Sequence, residues 1–315
     1  MFDAENFIEE TVEKIKEEVP GRTLIAFSGG VDSTVCTALV NKAIGDQLIA
    51  VNVDTGYMRK NEPETIKKLM EEMELNYRFI DASDKYYKAL KGVKDPEKKR
   101  KIIGELFIRL FEKVADDEKI EYLVQGTIAP DWIESGGELR DTIKSHHNVG
   151  GLPENMNLKL VEPLRDLYKD EVRKVARILK LSVSEKQPFP GPGLAIRILG
   201  EATPKRTEIV REACDIVEKE IEIAAEKENM ELPWQYFAVL LPTKSVGVHG
   251  DKRAYGSVVA VRAVQSIDAM TCSFSKIPVN VIDRISNRIT NTLGDEINRV
   301  VYDVTNKPPG TVEWE

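Results

Sequence analysis

The chain has 315 residues, with 45 Lys and Arg against 53 Asp and Glu, so its formal net charge is −8. Hydrophobic residues make up 42% of it, far more than in a disordered chain, and the acidic balance argues against general nucleic-acid binding. No stretch approaches the ~18 apolar residues of a membrane span, and the first residues lack signal-peptide features. We therefore expect a cytoplasmic protein of two domains. Its lone cysteines fit a reducing compartment: Cys36, Cys214 and Cys272.

The first part of the chain alternates helical periodicity with short buried apolar runs. The pattern predicts these elements in order: helix 3–19, strand 23–27, helix 34–43, strand 48–54, helix 63–73, strand 77–81, helix 96–116, strand 122–126 and helix 169–180. A strand, a helix and a strand within about thirty residues form a βαβ unit, whose strands are parallel. Residues 1–190 are therefore expected to form an α/β domain on a parallel sheet.

The segment 187–193 is dense in Pro and Gly and breaks this alternation, so we place the domain boundary at residue 190. The elements predicted beyond it are helix 205–228, strands 236–241 and 257–264, helix 278–292 and strand 299–304. Most of these strands are joined by too little chain for repeated βαβ crossovers. Residues 191–315 are therefore expected to form a smaller α+β domain with a partly antiparallel sheet.

The strongest chemical signal is the segment SGGVDST at residues 28–34, which lies between a predicted strand and a predicted helix. Ligands bind beyond the carboxyl ends of parallel strands, and the first-turn amides of a helix attract anions such as phosphate. An acid such as Asp32 suits such a site if Mg²⁺ bridges it to the phosphates. The structural alternative is a plain turn in which Asp32 caps the helix. The sequence matches neither a Walker A motif nor a dinucleotide-binding motif.

This loop resembles the SGGxDS loop of the ATP pyrophosphatase (PP-loop) family, which cleaves ATP between the α- and β-phosphates and leaves AMP on a carbonyl oxygen. The resemblance implies that the loop grips the departing pyrophosphate, that Asp32 helps to hold Mg²⁺, and that Ser28, Asp32 and Ser33 are catalytic. The ATP-binding residues that it implies are Ser28, Gly29, Gly30, Val31, Asp32, Ser33, Thr34, Val53 and Gly126.

Further segments spread along the chain look like GMP synthetase: 95–104, 145–153, 188–194, 284–288 and 307–315. The SGGVDS loop begins at residue 28, which leaves no room for the glutaminase domain of single-chain GMP synthetases. The chain therefore resembles the synthetase (ATP pyrophosphatase) subunit of the two-subunit archaeal type. The resemblance implies an adenine nucleotide α-hydrolase-like fold, ammonia from a separate glutaminase subunit, and a homodimer formed through residues 191–315.

The same resemblance implies four contacts to the substrate XMP. Arg100 and Lys307 would bind the XMP phosphate, and Gln235 and Glu313 would make further contacts. A run of charges such as 98–101 is otherwise a solvated helix face, and a charged tail is usually frayed. The tail of this chain carries Pro308, Pro309 and Trp314, which favours docking.

The long loop at 129–158 is expected to act as a lid that carries Lys144 and the pair His146 and His147 towards the site. Two alternatives stay open. An NAD synthetase-like ligase shares the loop but gives no reason for the KPPGTVEWE tail, and a non-catalytic module would bind ATP without releasing pyrophosphate. A tRNA-thiolating enzyme is disfavoured by the negative charge and the lone cysteines.

Overall fold

The computed structural model describes residues 2–129, 158–182, 187–249, 251–266, 270–294 and 296–315. The chain forms two compact units. Unit 1 comprises residues 1–54, 62–82 and 103–191, and unit 2 comprises residues 55–61, 83–102 and 192–315. Residues 130–157 of the expected lid, with Lys144, His146 and His147, lie outside the described residues. No helix in the described ranges has the length and apolarity needed to cross a bilayer.

The elements from the start of the chain are α1 Ala4–Glu18, β1 Thr23–Ala26, α2 Val31–Ile44, β2 Leu48–Asp54, α3 Glu62–Glu72, β3 Tyr77–Asp81, α4 Ser83–Ala89, α5 Pro96–Glu118, β4 Tyr122–Val124, β5 Lys159–Val161 and α6 Lys169–Ile178. They are followed by α7 Pro204–Lys227, β6 Gln235–His249, β7 Lys252–Gln265, β8 Ser273–Phe274, α8 Val279–Thr292 and β9 Ile297–Tyr302. Short 3₁₀ turns follow α2 and precede α7, at Gly45–Gln47 and Gly193–Arg197.

Unit 1 is built on a five-stranded parallel sheet in the order β3-β2-β1-β4-β5. The central strands β1, β2 and β4 are buried almost throughout, as expected for a parallel sheet covered on both faces. Helices α1, α2 and α6 pack against one another. The stripe that α1 buries is Ile8, Val12 and Ile15, which follows the helical period read from the sequence.

The strand order of unit 1 fixes where a ligand can bind. The chain passes from β1 outwards to β2 and β3, and then returns to the other side of β1 with β4 and β5. In an open parallel sheet the crevice lies outside the carboxyl ends of the strands at this change of direction. That point is between β1 and β4, so residues following Ala26 and Val124 flank it.

Unit 2 contains a four-stranded sheet in which β6 and β7 form a long antiparallel hairpin. β8 pairs with β7 in antiparallel fashion and β9 pairs with it in parallel fashion, so the predicted partly antiparallel sheet is confirmed. Helices α7 and α8 pack on this sheet and on each other. The Ala238 amide donates to the Cys214 Sγ at 3.4 Å, which links β6 directly to α7.

Several elements differ from their predicted bounds. α2 begins at Val31 rather than residue 34, because the Thr34 amide already donates to the Gly30 carbonyl at 3.0 Å and closes the first turn. The strands predicted at 236–241 and 257–264 are longer, because they continue into the hairpin. α4 and β5 were not predicted. Only Tyr86 of α4 is buried, and β5 is mostly exposed, so neither carries a clear apolar pattern.

Candidate active site

The loop between β1 and α2 is shaped by a glycine that no other residue replaces without strain. Gly29 has φ +69°, and a Cβ built on it would lie 2.8 Å from Ile66 Cγ1. Gly30 then occupies the N-cap of α2 without a side-chain cap. The first-turn amides of an uncapped helix have no intrahelical acceptor, so they are available to an anion that lies beyond the loop.

Hydroxyl groups hold this loop together from within. Ser28 Oγ lies 2.9 Å from Ser33 Oγ and accepts the Gly30 amide at 3.3 Å. Ser33 Oγ and Thr34 Oγ1 both lie within bonding distance of the Gly30 carbonyl oxygen, at 3.1 and 2.7 Å. Thr34 is fully buried and uses both its amide and its hydroxyl on that carbonyl, so it fixes the loop from beneath.

Asp32 is the carboxylate of the loop, and its two oxygens have different surroundings. Oδ2 accepts a hydrogen bond from Lys169 Nζ at 2.5 Å, whereas Oδ1 is buried and has no hydrogen-bond partner among the described residues. Lys169 is the first residue of α6, and sequence reasoning did not select it. A buried carboxylate oxygen without a partner is a strong acceptor for a cation or a donor.

The neighbouring strands supply the rest of the predicted nucleotide site. Gly126 follows β4 and packs on α2: a Cβ built there would lie 3.5 Å from the Asp32 carbonyl carbon. Val53 is buried near the carboxyl end of β2. Beneath them, Cys36 Sγ lies 3.7 Å from the Gln125 carbonyl oxygen. Burial above all, with the nearby charge of Asp32, raises the pKa of the Cys36 thiol.

A second cluster of predicted residues lies in unit 2, where the segment 303–315, called here the tail, docks rather than frays. Glu313 receives a two-pronged ion pair from Arg197, with Nε–Oε2 at 3.1 Å and Nη2–Oε1 at 2.7 Å. The guanidinium carbon of Arg197 lies 4.0 Å from the centre of the Phe237 ring. Burial lowers the pKa of Arg197, but the Glu313 carboxylate outweighs it and the net pKa is raised. The Arg197 guanidinium therefore stays charged.

Other buried cations hold the rest of the tail. Arg262 donates to the Thr305 and Thr311 carbonyl oxygens, at 2.5 and 2.9 Å, and lies 3.2 Å from an Asp303 oxygen. The indole of Trp314 donates to Asp303 Oδ2 at 2.9 Å. The docking expected from the prolines and the tryptophan is thus confirmed.

Lys99 and Arg100 bind the last residue from the first turn of α5. Lys99 Nζ donates to the Glu315 carboxylate and to the carbonyl oxygens of Ala195 and Ile198, the latter two at 3.0 and 2.7 Å. Arg100 donates to the Glu315 main-chain oxygen. Burial lowers the pKa of Lys99 and raises that of Glu315. The opposite charge of the partner acts in the other direction in each case but is outweighed.

The other two predicted XMP contacts are also in unit 2. Gln235 begins β6, is buried, and its side-chain oxygen has no hydrogen-bond partner in the described part of the chain. Lys307 pairs through its backbone with Cys272, at 2.8 and 3.1 Å. The site residues predicted from the sequence thus divide into an ATP set in unit 1 and an XMP set in unit 2.

Comparison with known proteins gives full-length matches to proteins named as one subunit of GMP synthase (glutamine-hydrolyzing). They are 56% identical in Thermoplasma acidophilum (98% of this chain, 99% of that protein), 56% in Methanopyrus kandleri (100% of both) and 57% in Thermococcus kodakarensis (99% of both). The chain belongs to this family of GMP synthase subunits. Two family models agree: "GMP synthase C terminal domain" matches residues 221–314 and "NAD synthase" matches residues 1–128.

Two solved structures that resemble this member of the GMP synthase family are distant from it in sequence. An NMN synthetase from Francisella tularensis is 16% identical, with a TM-score of 0.47 over 61% of this chain and 78% of that chain. An NAD synthetase from Campylobacter jejuni is also 16% identical, with a TM-score of 0.46 over 73% and 89%. At such scores the fold assignment rests on the parallel sheet described above and on the family models.

Sequence reasoning missed four charged residues of this family member, although three of them left a signal. Lys99 lies four residues before Ile103 on the buried stripe of α5, and Arg262 interrupts the apolar run 258–264 of β7. A charge in such a position must be paired when it is buried. Arg197 likewise interrupts the apolar run 194–199. Lys169 gave no comparable signal, because it begins a helix and its partner Asp32 is 137 positions away.

Proposed function

We propose that this chain is the synthetase subunit of a GMP synthase, which adenylates XMP with ATP and then aminates the adenylated purine. The purine C2 oxygen of XMP attacks the α-phosphorus of ATP, and pyrophosphate leaves. Ammonia then attacks C2, the C2–O bond breaks, and AMP leaves with that oxygen. The observation that carries the proposal is the end-to-end match to proteins named as a GMP synthase subunit.

The loop of residues 28–34 is proposed to bind the pyrophosphate part of ATP. Its uncapped helix start offers the amides of Val31, Asp32 and Ser33, and the positive end of the α2 dipole adds to their attraction for an anion. Donors that are already fixed in place stabilise charge on a leaving group without reorganisation. The bond between Ser28 Oγ and Ser33 Oγ supports such a fixed arrangement.

Asp32 is proposed to hold Mg²⁺ when ATP is bound. Its buried Oδ1, which has no partner among the described residues, fits a cation. Proteins hold Mg²⁺ through one or two carboxylates together with phosphate oxygens and water, so a single carboxylate at the loop suits this ion. The ion would neutralise charge on the departing pyrophosphate. The contribution of this chain is to place one oxygen ligand, Asp32 Oδ1, at the loop.

The XMP set in unit 2 is proposed to bind the substrate nucleotide. Arg100 suits a phosphate because a guanidinium offers paired donors, and Lys307 would add a second positive charge. Gln235 has a buried side-chain oxygen that no described residue binds and that would accept from XMP. Glu313 presents a fixed carboxylate, whose oxygens each retain a lone pair after binding Arg197.

The remaining parts of the proposal concern assembly. Ammonia would come from a separate glutaminase subunit. The relatives' names support this, because they describe a glutamine-hydrolyzing enzyme of which each relative is one subunit. Two copies would associate through residues 191–315, and the protein would work in the cytoplasm. Sedimentation in an analytical ultracentrifuge tests the dimer: a mass of twice 35.5 kDa is expected, and a mass of 35.5 kDa would refute it.

The proposed reaction is tested with the purified chain, Mg-ATP and ammonium, with and without XMP, by following pyrophosphate and GMP. Release of pyrophosphate only in the presence of XMP, in a one-to-one ratio with GMP, is expected. Turnover with deamido-NAD in place of XMP would support the NAD synthetase alternative instead. Binding of ATP without pyrophosphate release under all these conditions would favour a non-catalytic module.

A further inference from the structure

The Arg197–Glu313 ion pair is bidentate, and its guanidinium is almost fully buried. Both carboxylate oxygens of Glu313 are bound by one guanidinium, and Arg197 is 1% exposed. The guanidinium in turn lies on the Phe237 ring. A planar fork that is fixed on an aromatic face sets the plane of the carboxylate as well as its position.

The tail also makes contacts that do not involve this pair. Arg262 binds the main chain of the tail at Thr305 and Thr311, on one side of Glu313, and Lys99 and Arg100 bind Glu315 on the other. The neighbours of Glu313 are therefore held by other contacts. Arg197 adds one thing to these contacts: it orients the Glu313 side chain and neutralises its charge.

That side chain keeps acceptor capacity. A carboxylate has about four lone-pair sites, and Arg197 uses one on each oxygen. The Glu313 side chain also keeps 15% of its surface exposed. Both oxygens act as acceptors towards the guanidinium, so a ligand meets this carboxylate through its own N–H or O–H groups.

We infer that Arg197 is a positioning residue, which holds Glu313 in the orientation that accepts a hydrogen bond from XMP. The inference rests on the proposed function, because it needs Glu313 to be an XMP contact. Arg197 itself touches no substrate in this scheme. Its loss should therefore weaken XMP binding while leaving ATP binding in place.

The test measures steady-state rates with ammonium as the nitrogen source, varying XMP and ATP separately, for wild type, Arg197→Met, Glu313→Gln and the double variant. A hydrogen bond to a charged group is worth about 1.5–3 kcal/mol, so each single variant should raise the KM for XMP about 10- to 100-fold. The KM for ATP and the kcat at saturating XMP should change by less than about 3-fold. The double variant should resemble the worse single variant, because both act through one contact.

Lys219→Met is the control, because it removes a more exposed ion pair with Asp215 in the same unit. Its KM for XMP should equal that of wild type. If Arg197→Met does not fold, Arg197→Lys replaces it: the lysine keeps the charge but reaches one carboxylate oxygen, and the KM for XMP should rise about 3- to 10-fold.

The outcomes are distinct. A wild-type chain without XMP-dependent pyrophosphate would overturn the proposed function. An active wild type beside a folded Arg197 variant with an unchanged KM for XMP, even one with a lower melting temperature, would overturn only the positioning role. Multiplying effects in the double variant, or a Glu313→Gln variant with an unchanged KM for XMP, would also overturn it.

Discussion

Lys169 Nζ donates a hydrogen bond to Asp32 Oδ2 at 2.5 Å. The carboxylate of the loop at residues 28–34 is thus paired with the first residue of α6, 137 positions further along the chain. The pair joins the start of α2 to the start of α6 within unit 1. Asp32 nevertheless keeps a buried oxygen without a partner among the described residues. Lys169 therefore satisfies Oδ2 of the carboxylate and leaves Oδ1 for a ligand.

The first prediction concerns stability. The side chains of Lys169 and Asp32 are 44% and 28% exposed, so solvent screens the pair and its net contribution is about 0–1 kcal/mol. Lys169→Met should change the free energy of unfolding in urea by less than about 1 kcal/mol. Lys174→Met, which breaks a more exposed pair with Asp170, is the comparison and should change it less. A loss above about 2 kcal/mol would mean that the pair is a structural anchor.

The second prediction concerns the role of Asp32 in turnover. Asp32→Asn preserves the shape of the side chain but removes the charge that would hold Mg²⁺ beside the phosphates. Pyrophosphate release should fall at least about 100-fold, comparable to the loss of one fixed group that stabilises transition-state charge. Asp46→Asn is the matched control, because Asp46 is exposed after the end of α2. Retention of most of the activity in Asp32→Asn would refute the metal role.

A third prediction compares two adjacent lysines of α5. Lys99 is fully buried and donates to Glu315 and to the carbonyls of Ala195 and Ile198, whereas Lys98 is exposed. Removing one partner of a buried pair leaves polar groups unsatisfied and costs about 3–5 kcal/mol. Lys99→Met should lower the free energy of unfolding by that amount, and Lys98→Met should lower it by less than about 0.5 kcal/mol. Equal effects in the two variants would contradict the burial of Lys99.

A fourth prediction uses two glycines of unit 2 with similar backbones. Gly193 has φ +64°, and a Cβ there would lie 2.4 Å from the Tyr57 carbonyl oxygen, whereas Gly92 has φ +77° and nothing within 4 Å. Gly92→Ala should cost only the backbone penalty, about 1 kcal/mol. Gly193→Ala should cost at least about 2 kcal/mol more, since the rigid backbone of Tyr57 must move. Urea unfolding of both variants measures the difference, and similar losses would contradict the close approach.

A fifth prediction concerns the reactivity of the three cysteine thiols. All three are buried, and burial raises the pKa of Cys214 to about 11. A thiol with that pKa is about one part in a thousand thiolate at pH 8, and the thiolate is the reactive form. An aromatic disulfide reagent at pH 8 should react with the three thiols within minutes in guanidinium but over hours in the native protein. Rapid modification of the native chain would contradict this burial.

The sequence predicted the parallel sheet of unit 1 because each of its helices and central strands carries its own apolar pattern, as α1 and β2 do. It predicted the loop at residues 28–34 because the SGGVDS motif lies within one continuous stretch of chain. Residues such as Lys169 and Arg197 escaped prediction because a pair depends on which distant elements the fold brings together. The long hairpin of β6 and β7 was underestimated for a related reason. Its outer part exposes Val248 and Tyr255, which lie on one face, and the alternate positions hold small residues such as Gly247 and Gly256, so no buried apolar pattern marks it in the sequence.

The docked tail has a consequence for exchanging parts between relatives. Asp303, Glu313 and Glu315 each balance a cation that is almost fully buried, Arg262, Arg197 and Lys99 respectively. Transplanting the tail of one homologue onto another would leave a bare charge in the interior wherever one side of such a pair differed. The tail, the 3₁₀ turn at Gly193–Arg197, the start of α5 and strand β7 therefore form one module for chimera design, and should be moved together or not at all.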